Sequence, residues 1–193
     1  YVLNHAEVSI IVAEDQEQVD KVLSLKDRLS KLQKVIFDDP RGLWGYDDPL
    51  LMSFEETLEK GRAFGKKHPD HYAHELAAGK PSDIAMIAYT SGTTGFPKGA
   101  IGSHRNYVTN TWNARFGVAL AAKMMEAPVI PNIGQPSTSL STFPFFHIAG
   151  LCGLINQTAF GGTIVTQYKW DAGEGLRLIE KHKVKGLSVA PLA

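Results

Sequence analysis

The chain has 193 residues, of which 44% are apolar and 21% charged, an ordinary composition for a globular protein with one good-sized core. Its 20 lysines and arginines balance its 20 aspartates and glutamates, so no global field favours nucleic acid or an anionic membrane, and specificity must come from a local site. A single cysteine, Cys152, excludes an intramolecular disulfide and fits a reducing cytoplasm.

The first 80 residues predict alternating strands and helices. We expect strands at 7–13 and 34–37, a helix from Asp15, a loop at 38–49 and a second helix at 53–66. Asp15 with Gln18 three positions later resembles a capping box, which supports the first helix start. The side chains expected to be buried after residue 40 are Trp44, Tyr46, Phe54, Leu58 and Phe64.

Three histidines follow at intervals of three, at His68, His71 and His74. Such spacing places imidazoles near one helical face, where they could bind a metal ion. The surrounding residues argue for a connector instead, because Pro69 precedes the group and a Gly-Lys-Pro segment, 79–81, closes it.

A phosphate-binding loop is predicted at 89–99, directly behind a strand-like run at 83–88. The loop reads Tyr-Thr-Ser-Gly-Thr-Thr-Gly-Phe-Pro-Lys-Gly. Glycines let successive backbone N–H groups converge on an anion, hydroxyl groups add neutral donors, and Lys98 supplies a mobile charge. The expected ligand is a nucleoside triphosphate. The plainer alternative is a surface turn rich in Ser, Thr and Gly.

This loop differs from the Walker phosphate loop, in which the lysine touches the last glycine. Here Phe96 and Pro97 separate Gly95 from Lys98. Because proline disfavours helical geometry in the residue before it, the loop should continue as an extended flap to a helix that begins near Ser103.

The rest of the chain predicts a mainly parallel sheet with flanking helices, an α/β fold. The helix from Ser103 is expected to pack on the sheet through Tyr107, Val108, Thr111, Trp112, Phe116 and Ala119. A loop is expected at 126–141, strands at 140–143, 163–167 and 186–190, and helices at 148–159 and 171–183.

The loop at 89–99 resembles the signature of the adenylate-forming enzymes, which include acyl-CoA synthetases, luciferases and peptide-synthetase adenylation domains. A second segment, Thr-Phe-Pro-Phe-Phe-His-Ile-Ala-Gly at 142–150, resembles that family's next core motif. Residues 38–46 and 168–171 further resemble a bacterial branch of fatty-acyl-CoA ligases. The resemblance covers essentially the whole chain, which begins at Tyr1 and is expected to be part of the family's large N-terminal domain, 1–193.

The resemblance implies roles for individual residues. The residues expected to line the triphosphate are Thr90, Ser91, Gly92, Thr93, Thr94, Gly95 and Lys98. The Thr90 hydroxyl is the expected Mg²⁺ ligand, which suits a hard oxygen donor. Lys98 and His147 are the expected catalytic residues, with His147 beside the reacting carboxylate and the α-phosphate. Some fatty-acid members carry a tryptophan gate where this chain has Leu151.

The resemblance also implies a reaction. The complete enzyme is expected to activate a carboxylic acid, a fatty acid by the branch likeness, with ATP and Mg²⁺, and then to transfer the acyl group to coenzyme A. A cytoplasmic protein without a transmembrane segment is expected, and oligomers are compatible with it. Because the family's later motifs lie outside this chain, we expect these residues alone to be inactive. Two alternatives stay open: a non-catalytic nucleotide-binding module and a Walker-like ATPase.

Overall fold

The computed structural model describes residues 1–91, 95–125 and 136–188. The chain divides into two compact units. The first contains 1–80 and 89–100, and the second contains 81–88 and the residues from 101 onwards.

The first unit is built on a parallel sheet of three strands in the order β1-β2-β3. Its elements are α1 (Val2–His5), β1 (Ile10–Ala13), α2 (Gln16–Leu23), a 3₁₀ turn (Lys26–Arg28), β2 (Lys34–Phe37), β3 (Leu51–Ser53), α3 (Phe54–Lys67) and α4 (His71–Ala78). The central strand places Val35 opposite Ile11 on one side and Leu51 on the other. The predicted parallel arrangement is thus confirmed here.

The core of this unit lies between the sheet and α2. Val19 of α2 and Val35 of β2 are fully buried, and Leu43 joins the same cluster. Asp15 caps α2 by accepting a hydrogen bond from the Gln18 N–H at 3.1 Å, as the sequence predicted. The apolar stripe of α2 therefore fixes the helix against the strands.

The segment between β2 and β3 is tied down by polar contacts. Lys26 donates a hydrogen bond to Asp48 at 2.6 Å, and this bond, with a second from the Leu50 N–H, lowers the pKa of Asp48. Arg41 lowers the pKa of Asp39 to about 2 through hydrogen bonds to its carboxylate. These polar contacts add to the packing of Leu43 and Leu50 on the core in holding the segment in place.

Several burial predictions for this unit are wrong. Trp44 is 85% exposed, and its neighbour Leu43 is the buried residue. Tyr46, by contrast, packs against the core as expected and donates to Asp20 at 2.6 Å. The predicted buried side of α3 is 41–47% exposed at Phe54, Leu58 and Phe64. Apolar periodicity indicates that side chains share a face, but it does not show that another element covers that face.

The predicted connector at 69–81 contains a helix, α4, that sequence reasoning missed. Its residues, His-Tyr-Ala-His-Glu-Leu-Ala-Ala, include several strong helix formers. The residues that suggested a connector lie outside the helix: Pro69 precedes the Asp70 N-cap, and Gly79 is the C-cap. Breaker residues mark boundaries, and a short helix fits between them.

A two-stranded sheet carries the predicted phosphate loop. Strand β4 spans Ile84–Thr90 and strand β5 spans Lys98–Ser103. The predicted extended flap after Pro97 is therefore confirmed as a strand, and β4 runs two residues further than the expected 83–88. The ends of both strands next to the loop belong to the first unit.

The second unit contains a parallel sheet in the order β7-β6-β8. Its elements are α5 (His104–Met124), β6 (Thr138–Ser141), α6 (Ile148–Ala159), β7 (Thr163–Thr166), α7 (Ala172–His182) and β8 (Gly186–Ser188). Leu140 of β6 is fully buried and forms a core with Val165 of β7 and Leu178 of α7. Ser103 caps α5 in a capping box, and Asp171 caps α7.

Most predicted elements of this unit are confirmed, and α6 has the predicted bounds. Strand β6 begins at Thr138, two residues before the predicted strand and inside the predicted loop at 126–141; residues 126–135 of that loop lie outside the described residues. The predicted burial of the α5 face is wrong for Val108, Trp112 and Phe116, which are 53–68% exposed. Helix α5 instead contacts the end of α6, where Arg115 lies 3.6 Å from the Phe160 ring centroid.

Two leucines of α7 offer a matched test of this packing. Leu178 is 9% exposed and Leu176 is 70% exposed. In the full-length protein, Leu178→Ala should destabilise the fold by about 2–5 kcal/mol because it leaves a cavity against Leu140 and Val165. Leu176→Ala should change stability by less than about 0.5 kcal/mol. Urea denaturation measures both, and equal losses would contradict the assigned orientation of α7.

Candidate functional site

The described residues of the phosphate loop present polar groups to solvent. Thr90 ends β4, Ser91 follows it, and Lys98 begins β5; all three are exposed. Gly95 adopts a φ of +96°, a left-handed conformation that glycine accepts without strain. The remaining predicted cradle residues, Gly92, Thr93 and Thr94, lie outside the described residues.

The hydroxyl groups of Thr90 and Ser91 are available to a ligand. In the described ranges, neither side chain hydrogen-bonds another protein group, and the Lys98 ammonium forms no ion pair. Three polar groups thus flank one glycine-containing loop and have no hydrogen-bond or ion-pair partner among the residues that the structure describes. This is the donor set that a phosphate chain requires.

The loop also fits a magnesium ion held mainly by phosphate. Among the residues that the structure describes, no group of three or more His, Cys, Asp or Glu side chains is placed to hold a metal ion. Mg²⁺ commonly takes few protein ligands and completes its shell with water and substrate phosphate oxygens. An exposed Thr90 hydroxyl beside the loop is compatible with that mode of binding.

The second predicted catalytic residue, His147, is the N-cap of α6. The Ala149 N–H donates to His147 Nδ1 at 3.2 Å, and the ring stacks on Phe143 with centroids 5.9 Å apart. Because Nδ1 accepts a hydrogen bond, it carries no proton, and the ring N–H of this tautomer lies at Nε2. In this tautomer the exposed imidazole can donate a hydrogen bond through Nε2.

The backbone before α6 packs closely against the first turn of the helix. Gly150 is buried, and a Cβ at this position would lie 2.2 Å from the Pro144 carbonyl oxygen and 2.9 Å from that of Phe143. The His147 N–H also donates to the Pro144 carbonyl at 3.0 Å. Gly150 thus allows the turn at 143–147 that presents the histidine.

The predicted site residues fall in different units. Thr90, Ser91, Gly95 and Lys98 are brought together in the first unit, and His147 stands at the start of α6 in the second.

A cavity of about 260 Å³ lies in the second unit, between α6 and the β7-β6-β8 sheet. Gly153 and Asn156 line it from the helix, and Ser139, Ser141 and Ser188 line it from the strands. Gln157 donates to Ser139 Oγ at 2.8 Å, and within the described ranges the buried Asn156 Oδ1 has no hydrogen-bond partner. Ile164 and Leu187 also line the cavity, and its surface is more apolar than polar.

Two of the three histidines at 68–74 lie against an aromatic ring. The Phe64 ring lies 4.5 Å from that of His68 and 5.0 Å from that of His71, centroid to centroid. His71 Nδ1 is 4.0 Å from Glu75 Oε1 one helical turn away. These contacts account for His68 and His71 as surface packing around the end of α3.

Sequence reasoning missed three residues near the site: Gly150, Gln157 and His5. Gly150 is part of the motif at 142–150, but its role depends on the backbone fold of that segment. His5 hydrogen-bonds Tyr89 across 84 residues of sequence, at 2.7 Å. No local pattern in the sequence signals the close approach at Gly150 or the bond between His5 and Tyr89.

Comparison with known proteins places the chain in a family. The model of the AMP-binding enzyme family matches residues 1–193. The chain belongs to this family, and the resemblance inferred from the two motifs is confirmed.

Two curated relatives are CoA ligases. A long-chain-fatty-acid–CoA ligase of Xenopus laevis is 32% identical over 156 residues, which are 77% of this chain and 18% of that protein. The 2-succinylbenzoate–CoA ligase of Bacillus pumilus (strain SAFR-032) is 28% identical over 96% of this chain and 36% of its own length. The chain thus spans between about a fifth and about a third of these relatives.

A solved structure supports the fold. The match to the natural red-emitting luciferase of Phrixothrix hirtus covers 98% of this chain and 33% of the luciferase chain. The TM-score is 0.64 and the sequence identity is 22%. This match confirms the α/β fold. None of the helices in the described ranges has an apolar stretch long enough to cross a membrane. The cytoplasmic location stays a prediction.

Gly150 and Gly153 lie one turn apart on α6. Alanine substitutions at the two positions distinguish the effect of a close contact from that of helix propensity. In the full-length protein, Gly150→Ala should cost about 1–3 kcal/mol of stability, because the methyl group meets the Pro144 carbonyl. Gly153→Ala has open space and should be neutral or slightly stabilising. Thermal unfolding compares the two, and an unaffected Gly150→Ala variant would contradict the close approach.

Proposed function

We propose that the full-length protein is an ATP-dependent acid–thiol ligase, an AMP-forming acyl-CoA synthetase, and that this chain supplies its phosphate loop. One observation carries the proposal: the exposed hydroxyl groups of Thr90 and Ser91 and the exposed ammonium of Lys98 flank one loop and have no protein partner in the described ranges. Membership of the AMP-binding family and relatives named as CoA ligases support it.

The reaction brings two anions together. In the first half-reaction, a carboxylate oxygen bonds to the α-phosphorus of ATP while the bond from that phosphorus to the bridging oxygen breaks, and pyrophosphate leaves. In the second, the thiol of coenzyme A bonds to the acyl carbon, AMP leaves, and the thiol proton passes to solvent. Such chemistry needs charge neutralisation and alignment more than a protein nucleophile.

The loop residues supply this neutralisation. Lys98 is proposed to pair with the triphosphate, and the backbone and hydroxyl groups of Ser91, Gly92, Thr93, Thr94 and Gly95 to donate hydrogen bonds to it. The Thr90 hydroxyl is proposed to hold Mg²⁺, which would offset phosphate charge when bound. These side chains bind and orient ATP, and none of them needs to gain or lose a proton.

His147 is proposed to act as a hydrogen-bond donor. Its Nδ1 is occupied by the Ala149 N–H, so the Nε2–H is the group available to an anionic oxygen. A neutral donor can position a carboxylate without protonating it, and a protonated carboxylate would be a poor nucleophile. The imidazole therefore orients the acid for attack.

The tail of the acid is proposed to enter the cavity beneath α6. Gly153, which lines this cavity, lies six residues after His147, about 9 Å further along the helix axis at about 1.5 Å per residue. The lining combines the hydroxyl groups of Ser139 and Ser141 with the apolar side chains of Ile164 and Leu187, and most of its surface is apolar. Such a lining is compatible with the fatty acid suggested by the branch likeness.

Replacement of Lys98 tests the phosphate loop. In the full-length protein, Lys98→Ala should reduce carboxylate-dependent exchange of labelled pyrophosphate into ATP by about 100-fold or more, because a preorganised charge at the reacting phosphate is lost. Lys31→Ala, an exposed lysine in the same unit, serves as the control and should leave the exchange unchanged.

A panel of acids in this assay also decides between activities. Exchange that requires an acid establishes adenylation and names the substrate class. Folded protein that binds ATP but exchanges pyrophosphate with no acid would contradict the ligase and favour a non-catalytic nucleotide-binding module.

Enlarging Gly153 tests the acid pocket. Because a Cβ there meets no atom within 4 Å, Gly153→Leu should fill part of the cavity without moving the backbone. We expect kcat/KM for long or bulky acids to fall about tenfold or more relative to short ones, while Gly153→Ala keeps the original preference. A uniform loss for every acid would contradict this location of the tail.

A further inference from the structure

Helix α1 contacts the phosphate loop at its first residue. His5 Nδ1 and the Tyr89 hydroxyl are hydrogen-bonded at 2.7 Å, and their rings meet edge to face with centroids 5.8 Å apart. Tyr89 immediately precedes Thr90, the proposed magnesium ligand. Both contacts lie within the first unit.

The same helix also contacts the other side of the loop. The Tyr1 ring lies 5.1 Å from the Phe96 ring and stacks on the His5 ring with centroids 5.3 Å apart. Phe96 stands two residues before Lys98. Four aromatic rings, Tyr1, His5, Tyr89 and Phe96, therefore form one continuous cluster, here named the aromatic brace, which joins α1 to both flanks of the loop.

The brace is connected to the core of its unit. Leu3, between Tyr1 and His5 in sequence, packs against the cluster that contains Val19 and Val35. Tyr1 and Phe96 are 58% and 66% exposed, so their contact buries little apolar surface. The directional bond between His5 and Tyr89 is the part of the brace that fixes a position, because its strength depends on distance and angle.

Orientation matters for a loop that contains three glycines among its eleven residues. A glycine-rich backbone generally has many accessible conformations, and a ligand that selects one of them binds more tightly as the fraction of molecules already in that conformation rises. A contact that restrains both flanks raises that fraction before ATP arrives.

We propose that His5 is a positioning residue for the phosphate loop. Through Tyr89 it holds the end of β4, and with it Thr90 and Ser91, in the conformation that receives the triphosphate. This inference rests on the proposed function, because it assigns the brace to ATP binding by that same loop. Loss of the bond should raise the KM for ATP and leave kcat at saturating ATP unchanged, since bound ATP itself orders the loop.

The test uses full-length protein and a double-mutant cycle. His5→Phe keeps a ring that can stack on Tyr1 but has no Nδ1, and Tyr89→Phe removes only the hydroxyl group. Each should raise the KM for ATP in pyrophosphate exchange by about three- to tenfold, the range expected for one hydrogen bond. The double variant should match the single variants, because both remove the same bond.

Two further variants separate positioning from general damage. His5→Asn carries an amide that can donate or accept near the position of Nδ1, and it should recover most of the affinity for ATP. Tyr72→Phe removes an exposed hydroxyl group from α4 in the same unit and should have no effect. If His5→Phe does not fold, Tyr89→Phe and His5→Asn carry the comparison.

A second measurement is independent of activity. Hydrogen–deuterium exchange of a peptide that covers 89–99, without ligand, should be about three- to tenfold faster in His5→Phe and Tyr89→Phe than in wild type and Tyr72→Phe. If the wild-type protein exchanges no pyrophosphate, the proposed function is wrong. Hydrogen exchange of the peptide would then test separately whether the aromatic brace orders the loop. Three results would overturn the proposed role of His5. They are unchanged hydrogen exchange of the peptide, a rise in KM in the double variant equal to the product of the two single effects, and a fall in kcat at constant KM.

Discussion

Parallel pairing of short strands is the constraint on which the rest of the structure depends. Parallel neighbours cannot be joined by a tight turn, so each pair requires a crossover, and the chain supplies α2, α6 and α7 for this purpose. The segments that follow such strands emerge at one edge of the sheet, where ligands of open α/β sheets bind. His147, six residues after β6, occupies this kind of position.

The proposed chemistry explains the composition of the loop between β4 and β5. A carboxylate and a polyphosphate repel each other, so an acidic side chain beside them would raise the barrier to their reaction. The eleven residues from Tyr89 to Gly99 include one lysine and no acid, and the rest are neutral. Neutral donors allow the loop to hold an anion without giving the protein a net charge, which matches the balance of charges over the whole chain.

Local features of the sequence predicted local features of the structure. The caps at Asp15, Ser103 and Asp171 were predictable because each involves a residue three positions away. The bounds of α6 followed from the motif before it. Burial of Trp44 and Phe54 was not predictable, since it depends on which element covers them, and residue type alone does not reveal that.

Long-range contacts were the least predictable part of the candidate site. The loop motif indicated which residues bind phosphate, because its glycines and hydroxyl groups act within eleven residues. The bond between His5 and Tyr89 joins two ordinary residues that are 84 positions apart. The cavity beneath α6 likewise arises from residues on three strands and one helix, and each of these residues is unremarkable by itself.

The cap at His147 joins two requirements in one side chain. Serine, aspartate and asparagine are the residues that best stabilise a helix start, and a histidine at this position gives up part of that stability. None of the three offers the same reach together with a fixed N–H on the far side of the ring. Substitution of His147 by one of these better caps should stabilise α6 at the expense of the proposed chemistry. Selection for stability and selection for activity therefore favour different residues at this position.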